Sequence, residues 1–116
     1  MAEDTSVFLR YEGVVAELFE RTSRFPKSLR HSLTSRIEVV GLDVLECLVT
    51  ASYARPAEKA LRLQTADDAL ARLRVLLRLA FTLRALDGGG YERLARAIDE
   101  VGRMLGGWRK SVHERL

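Results

Sequence analysis

The chain has 116 residues, which fits one domain and is enough to bury a real core. Hydrophobic residues make up 47% and charged residues 30%, a composition typical of a folded chain rather than a disordered one. The sequence contains no run of about 18 apolar residues, so it predicts no transmembrane helix. The formal net charge of +3 arises from 16 Arg and 3 Lys against 16 acidic residues. Because Arg carries a planar guanidinium with several donors, this composition suits contacts with phosphates and carboxylates.

The start of the chain argues against a secretory signal peptide. It carries five acidic residues within its first 20 positions, whereas a signal peptide needs a basic start and an apolar centre. We therefore expect a cytoplasmic protein. The single cysteine, Cys47, can form no disulfide within the chain and cannot build a metal site alone.

Four helices follow one another along the sequence. Apolar residues recur at three- and four-residue steps, and no strand-like alternation competes with them. The divisions between helices are Pro26, Pro56 and the run Asp87–Gly90, because proline fits only the first turn of a helix and three successive glycines favour a turn. We predict helices over residues 5–22, 27–53, 57–86 and 91–112.

Short connections make neighbouring helices antiparallel. The sequence therefore predicts an all-α protein, an up-down-up-down antiparallel four-helix bundle, with residues 1–116 forming a single domain. The apolar stripes of the four helices would meet in one core.

Two helices carry more apolar residues than one bundle core requires, since a bundle helix normally needs about three apolar positions in seven. The excess predicts either a thick core or, as we favour, a subunit interface. The candidate interface residues on the second and third helices are Leu42, Leu45, Val49, Leu76 and Leu79.

No pattern in the sequence indicates catalysis. His31 and His113 lack a His or Cys partner at a metal-binding helical spacing, and Gly88–Gly90 lacks the Lys-Ser/Thr that follows the glycines of a phosphate-binding loop. Cys47 falls on the core stripe, where a free cysteine acts as a small hydrophobic residue. We therefore expect no catalytic residues, no metal site and no cofactor.

One pair of opposite charges lies at the edge of the core stripe of the second helix. Arg36 and Asp43 are seven residues apart, and we predict a structural ion pair between them, or between Asp43 and an arginine of another helix. If such a pair is buried, removal of one partner should cost roughly 3–5 kcal/mol of stability.

The basic residues form three groups, at the corner between the first two helices, on the polar side of the third helix, and late in the fourth. Each group is either a solvated face balanced by acids or a nucleic-acid contact. Arg74 and Arg78 have few acidic partners nearby in sequence, which favours the second interpretation. Because aromatic residues do not alternate with these cations, binding would be mainly to phosphates and strongly dependent on salt.

Three segments resemble one known family. Arg24–Leu48 contains FPKSLRHSLTSRIE followed by LDVLE, Leu73–Ala80 reads LRVLLRLA, and Gly102–Trp108 reads GRMLGGW. These runs, in this order, resemble the accessory variability determinant (Avd) proteins of diversity-generating retroelements. A looser resemblance reaches the four-helix-bundle proteins encoded in ribosomal-RNA intervening sequences. The match in the first helix is poor.

The glycines of the third motif have a physical interpretation of their own. Each lowers helix propensity by roughly 1 kcal/mol relative to Ala, so we expect either close approach of another backbone or the end of the helix there. Trp108, which follows them, would cap the core.

The Avd resemblance implies a homopentameric barrel with a basic surface. It also implies association with the retroelement's reverse transcriptase and with nucleic acid, chiefly the template RNA and also DNA through phosphate contacts, in support of mutagenic retrohoming. The basic residues that fall in the family motifs are the candidate contacts: Arg24, Lys27, Arg30, Arg74, Arg78 and Arg103. The alternative is an interaction scaffold of the intervening-sequence type with no dedicated nucleic-acid role.

Overall fold

The computed structural model describes the backbone of residues 2–116 and the side chains of residues 5–116. All secondary-structure elements of the described residues are helical, with no strand among them, as the sequence predicts. The four helices, in chain order, are α1 (Ala2–Thr22), α2 (Ser35–Tyr53), α3 (Pro56–Thr82) and α4 (Gly88–Glu114).

Each helix packs against the next one in sequence, and α4 packs back against α1. With the short connections between them, this arrangement gives an antiparallel up-down-up-down bundle measuring 46 × 24 × 19 Å. The expected pentamer concerns contacts between chains and stays a prediction.

The core consists of one apolar stripe from each helix. Trp108 lies within it near the end of α4, whereas Cys47 is half-buried at the edge of the α2 stripe. Representative core residues on α1, α2, α3 and α4 are Tyr11, Leu18, Ile37, Val44, Leu48, Leu63, Leu70, Leu77, Leu94, Ile98 and Leu105. Burial of each large side chain contributes about 1.5–3 kcal/mol, so the inward stripes are the main source of stability.

The helices α1 and α2 pack closely at Gly41. A Cβ atom at this position would lie 2.7 Å from Leu18 Cδ2, so the two helices meet where α2 has no side chain. The buried Tyr11 hydroxyl donates a hydrogen bond to the Gly41 carbonyl oxygen at 2.7 Å. Burial, helped by the charge of Asp43, raises the pKa of the Tyr11 hydroxyl far above its ordinary value, so the hydroxyl stays a donor.

The turn between α3 and α4 does not lie at the three glycines, and our prediction of its position is wrong. The helix α3 ends at Thr82, and the chain turns at Arg84, a non-glycine residue in the left-handed region with φ of 64°. The Ala85 and Arg84 N–H groups donate to the carbonyl oxygens of Ala80 and Phe81, which is the Schellman pattern of a helix end.

The three glycines instead form the first turn of α4. Asp87 caps this helix, since its Oδ1 accepts a hydrogen bond from the Gly90 N–H at 2.6 Å. Gly90 is buried beneath the Arg21 guanidinium, and a Cβ at position 90 would lie 2.5 Å from Arg21 Nη1. The cap and the close packing therefore outweigh the low helix propensity of glycine.

Two further boundaries differ from the sequence prediction. The segment expected to begin the second helix contains a 3-10 turn, Lys27–Leu29, and a π turn, Arg30–Thr34, before α2 starts. At the other end of the molecule, α4 continues through Gly106 and Gly107 to Glu114, so these glycines do not end the helix. No atom lies within 4 Å of a Cβ added at either glycine, so neither allows close approach of another helix within the described chain.

We predict that Arg84→Gly stabilises the protein by about 1 kcal/mol, because glycine adopts the left-handed conformation without steric cost. Arg84→Ala, the matched control, should give no gain. Urea denaturation of both variants measures the difference. Equal midpoints for the glycine and alanine variants would contradict this explanation of the turn.

We also predict opposite effects of alanine at two helical glycines. Gly41→Ala should destabilise the protein by about 1–3 kcal/mol, because its Cβ collides with Leu18. Gly13→Ala should stabilise it by about 0.5–1 kcal/mol, because position 13 has open space and alanine is the better helix former. Thermal unfolding compares the two, and a Gly41→Ala variant as stable as Gly13→Ala would be incompatible with the packing described.

Candidate nucleic-acid interface

The corner between α1 and α2 is built around one buried aromatic residue. The backbone N–H of Phe25 donates to the Thr22 carbonyl oxygen, and the Phe25 ring packs into the core. Pro26 has no N–H and cannot extend α1, so the chain reverses and enters the 3-10 turn. Lys27 and Arg30 then lie on the outside of the corner and are exposed.

Several cations lie at this end of the bundle. The up-down-up-down topology places the α1–α2 corner and the α3–α4 connection at the same end. Among the described residues, Lys27, Arg30, Arg78 and Arg84 are exposed and make no ion pair. Arg24 is also exposed there and pairs only with Glu20 on its own helix, at 2.8 Å. We call these five residues the basic end.

Arg74, unlike most residues of the basic end, is held in an ion pair with another helix. Its Nε lies 3.5 Å from Asp99 Oδ1 on α4, and its guanidinium covers Gly102, where a Cβ would lie 2.6 Å from Arg74 Nη2. The sequence near Arg74 offers few acidic partners, but α4 supplies one in three dimensions; a contact of Arg74 with nucleic acid stays a prediction. Gly102 allows close approach of this arginine side chain rather than of another backbone.

Arg103 lies on α4, exposed and without an ion pair among the described residues. Arg103 follows Gly102 directly and therefore lies near the Arg74–Asp99 pair along α4. This part of the surface is separate from the α1–α2 corner. The structure thus gathers four of the six candidate contacts at the basic end and leaves Arg74 and Arg103 along the α3–α4 side.

The ion pair expected between Arg36 and Asp43 does not form within the described part of the chain. Arg36 is exposed and Asp43 half-buried, and neither is among the ion-paired residues. Two turns of helix separate their Cα atoms by about 10.5 Å, well beyond direct contact. Burial raises the pKa of the Tyr11 hydroxyl and of the Cys47 thiol, and the charge of Asp43 adds to both shifts.

The outward side of α2 carries a second apolar stripe opposite the core. Leu42 and Val49 of the predicted interface are 40% and 37% exposed, and Val39 and Tyr53 extend the same stripe. Leu45 is half-buried against the core. Positions 39, 42, 46, 49 and 53 follow alternating three- and four-residue steps, so the full stripe was readable from the sequence, with Glu46 as its one charged member.

The outward side of α3 is similar. Leu79 of the predicted interface is exposed, whereas Leu76 is half-buried. Val75 and Leu61, which we did not select from the sequence, are more exposed than either. We call seven exposed apolar residues of the two helices the outer apolar face: Val39, Leu42, Val49, Tyr53, Leu61, Val75 and Leu79.

A cavity of about 290 Å³ opens beside the α1–α2 corner. We call it the corner cavity. The Thr22 hydroxyl donates to Glu38 Oε2 at 2.7 Å within it, so one acidic group is fixed on the α2 side. Lys27 and Arg30 border the cavity from the surface, and the remaining lining residues are Ser23, Phe25, Pro26 and Thr34.

The described residues offer no metal-binding cluster of three or more His, Cys, Asp or Glu side chains. The Cys47 thiol is not activated, because burial, followed by the charge of Asp43, raises its pKa above the ordinary value.

Comparisons with known proteins identify the family. Within the described residues, no helix is both long enough and apolar enough to cross a membrane. No curated protein matches the chain. Residues 7–112 match the bAvd-like family, and this range runs from Val7 to Val112, the outermost core residues of α1 and α4. The chain therefore belongs to the bAvd-like family, in agreement with its resemblance to the Avd proteins of diversity-generating retroelements.

Proposed function

We propose that this chain is a non-catalytic accessory factor of a diversity-generating retroelement, which binds the element's reverse transcriptase and its template RNA in support of mutagenic retrohoming. Membership of the bAvd-like family identifies an accessory protein of the retroelement type. The polymerase chemistry would belong to the partner enzyme.

The observation that carries the nucleic-acid part of this proposal is the basic end. Lys27, Arg30, Arg78 and Arg84 are exposed without ion pairs among the described residues, so their charges are free for phosphates. Other arginines serve the fold, for example Arg10 in its pair with Glu100 at 3.0 Å. Lys27, Arg30 and Arg84 lie in two connections that the topology brings to one end, and Arg78 lies about one turn before α3 reaches that end, where phosphates of an RNA backbone would meet them.

We predict that the double variant Arg78→Glu/Arg84→Glu binds template RNA on the order of tenfold more weakly, because two phosphate contacts are lost. The slope of log affinity against log salt should fall by about 1.4–2, since each contact to single-stranded RNA releases less than one counterion. Fluorescence anisotropy with labelled RNA over a salt series measures both quantities.

The matched control for this experiment is Arg62→Glu/Arg115→Glu. It changes the net charge by the same amount at two exposed positions near the opposite end of the bundle. The control should keep nearly the same affinity and slope as the unmodified chain. Equal losses in the two double variants would mean that net charge alone attracts RNA and that the basic end is not the contact.

The outer apolar face supports a second part of the proposal, the assembly of several copies of the chain. A monomer would leave Leu42, Val49 and Leu79 in water beside Val39 and Val75. Apolar surface of this kind marks protein contacts. The same surface would also suit the alternative function, an interaction scaffold without a dedicated RNA role. The RNA-binding measurements described above distinguish this scaffold from an RNA-binding accessory factor.

We predict that Leu42→Glu converts the assembled form, expected to be a homopentamer, to a monomer in native mass spectrometry. Leu42 is already 40% exposed in the single chain, so the charge should leave the monomer folded while costing desolvation at an interface. Leu9→Glu, at a leucine that is 58% exposed on α1, is the matched control and should leave the mass unchanged. A monomeric mass for the unmodified chain would contradict this prediction.

A further inference from the structure

Thr34 has a buried hydroxyl without a hydrogen-bond partner. The residue is 8% exposed, and among the described residues its Oγ1 is one of two buried side-chain polar atoms that lack a partner. Buried polar atoms in native proteins nearly always have one, so an unmatched hydroxyl at a residue beside a cavity is a candidate contact for a bound molecule. Thr34 lines the corner cavity.

The π turn explains why this hydroxyl is free. A threonine inside an α-helix usually donates to the carbonyl oxygen three or four residues earlier. Thr50, Thr65 and Thr82 all do so, with Oγ1 to carbonyl oxygen distances of 3.0–3.1 Å for the bonds four residues back. Thr34 ends the π turn Arg30–Thr34, where the backbone leaves the ordinary α-helical register, and its hydroxyl makes no such bond.

The other groups around the cavity define the chemistry of a ligand. Glu38 supplies a carboxylate whose Oε2 already accepts from Thr22, which leaves further acceptor sites on the same group. Lys27 and Arg30 supply two exposed positive charges at the border. A ligand that fits must therefore combine N–H donors and an acceptor at one end with an anionic group at the other.

From this arrangement we propose that the corner cavity binds one unstacked guanine nucleotide, with its base at Glu38 and Thr34 and its phosphate at Lys27 and Arg30. The volume of about 290 Å³ lies just below the usual range for ligand sites, roughly 300–1,000 Å³, which restricts the ligand to a small molecule such as a single nucleotide. Binding of this nucleotide as part of an RNA strand rests on the proposed function. Binding of the free nucleotide does not depend on it.

Guanine is favoured over the other bases by its Watson–Crick edge. It presents two adjacent donors, N1–H and the N2 amino group, to the two oxygens of a carboxylate, and O6 as an acceptor for the Thr34 hydroxyl. Adenine and cytosine place a ring-nitrogen acceptor beside their amino group, which would face a carboxylate oxygen. Uracil offers a single N–H between two carbonyl oxygens.

The experiment is calorimetric titration of the purified full-length chain with guanosine, adenosine, cytidine and uridine monophosphates and with inorganic phosphate. The expected result is that guanosine monophosphate binds at least about tenfold more tightly than each of the others, the difference that one well-formed base contact gives. Equal binding of the four nucleotides, binding of phosphate as tight as that of guanosine monophosphate, or no binding of the guanine nucleotide would each overturn the proposal.

Two variants of Thr34 separate a ligand contact from a structural role. Thr34→Val keeps the shape and removes an unsatisfied polar group, so the fold should be as stable as before or more so. Binding of guanosine monophosphate should nevertheless fall about tenfold. Thr34→Ser should retain binding, and Thr65→Val, at an exposed threonine that bonds its own helix, should have no effect on binding. Unchanged nucleotide binding in a folded Thr34→Val variant would refute the proposal.

A glutamate variant tests the choice of base. Glu38→Gln replaces one acceptor oxygen by a donor, so the preference for guanine over adenine should shrink, whereas Glu46→Gln on the exposed side of α2 should preserve it. An undiminished preference in Glu38→Gln would count against the proposal. If RNA binding fails while guanosine monophosphate still binds selectively, only the proposed function fails. If RNA binds but the guanine nucleotide does not, only this inference fails.

Discussion

The reversal between α1 and α2 is the constraint on which both the fold and the candidate site depend. Pro26 cannot continue α1, and the burial of Phe25 fixes the reversal to the core. The chain then needs a 3-10 turn and a π turn before α2 reaches regular geometry. In that short path Lys27 and Arg30 come to lie outside, while the Thr34 hydroxyl comes to lie inside.

The second organising feature is the division of the arginines between structure and surface. Some hold helices together, as in the pairs Arg10–Glu100 and Arg109–Asp67, whose atoms lie 3.0 and 3.1 Å apart. These half-exposed pairs add little stability individually, about 0–1 kcal/mol, but they neutralise charge along the sides of the bundle. Lys27, Arg30, Arg78 and Arg84 make no ion pair among the described residues, so their charges stay available to an anionic polymer.

The helical core was predictable from the sequence because burial imposes a strong three- and four-residue period. Residues such as Leu70 and Ile98 occupy the stripes that the period indicates. The turn after α3 was not predictable, since Asp87 capping and the close packing of Arg21 on Gly90 make a helix start of three glycines. The intrinsic propensity of glycine favours a turn at these positions, and only tertiary contacts make them the start of a helix.

The candidate site was predictable only in part. Charge and motif selected Lys27 and Arg30 correctly as exposed cations, because nothing in the nearby sequence could pair with them. The ion pair of Arg74 was not predictable from the nearby sequence because its acid, Asp99, lies 25 residues away on another helix. The free hydroxyl of Thr34 depends on a π turn, and a local shift of backbone register of this kind leaves no signature in residue type.

The most direct test of the central claim is amide hydrogen exchange of the full chain, followed by mass spectrometry, with and without template RNA. If the reversal builds the RNA contact, new protection should concentrate in residues 23–34 and 78–86, the two stretches that form the basic end. The outward side of α2, residues 39–53, should exchange at the same rate in both samples. Protection confined to residues 39–53, with no change at the reversal, would contradict this view of how the molecule works.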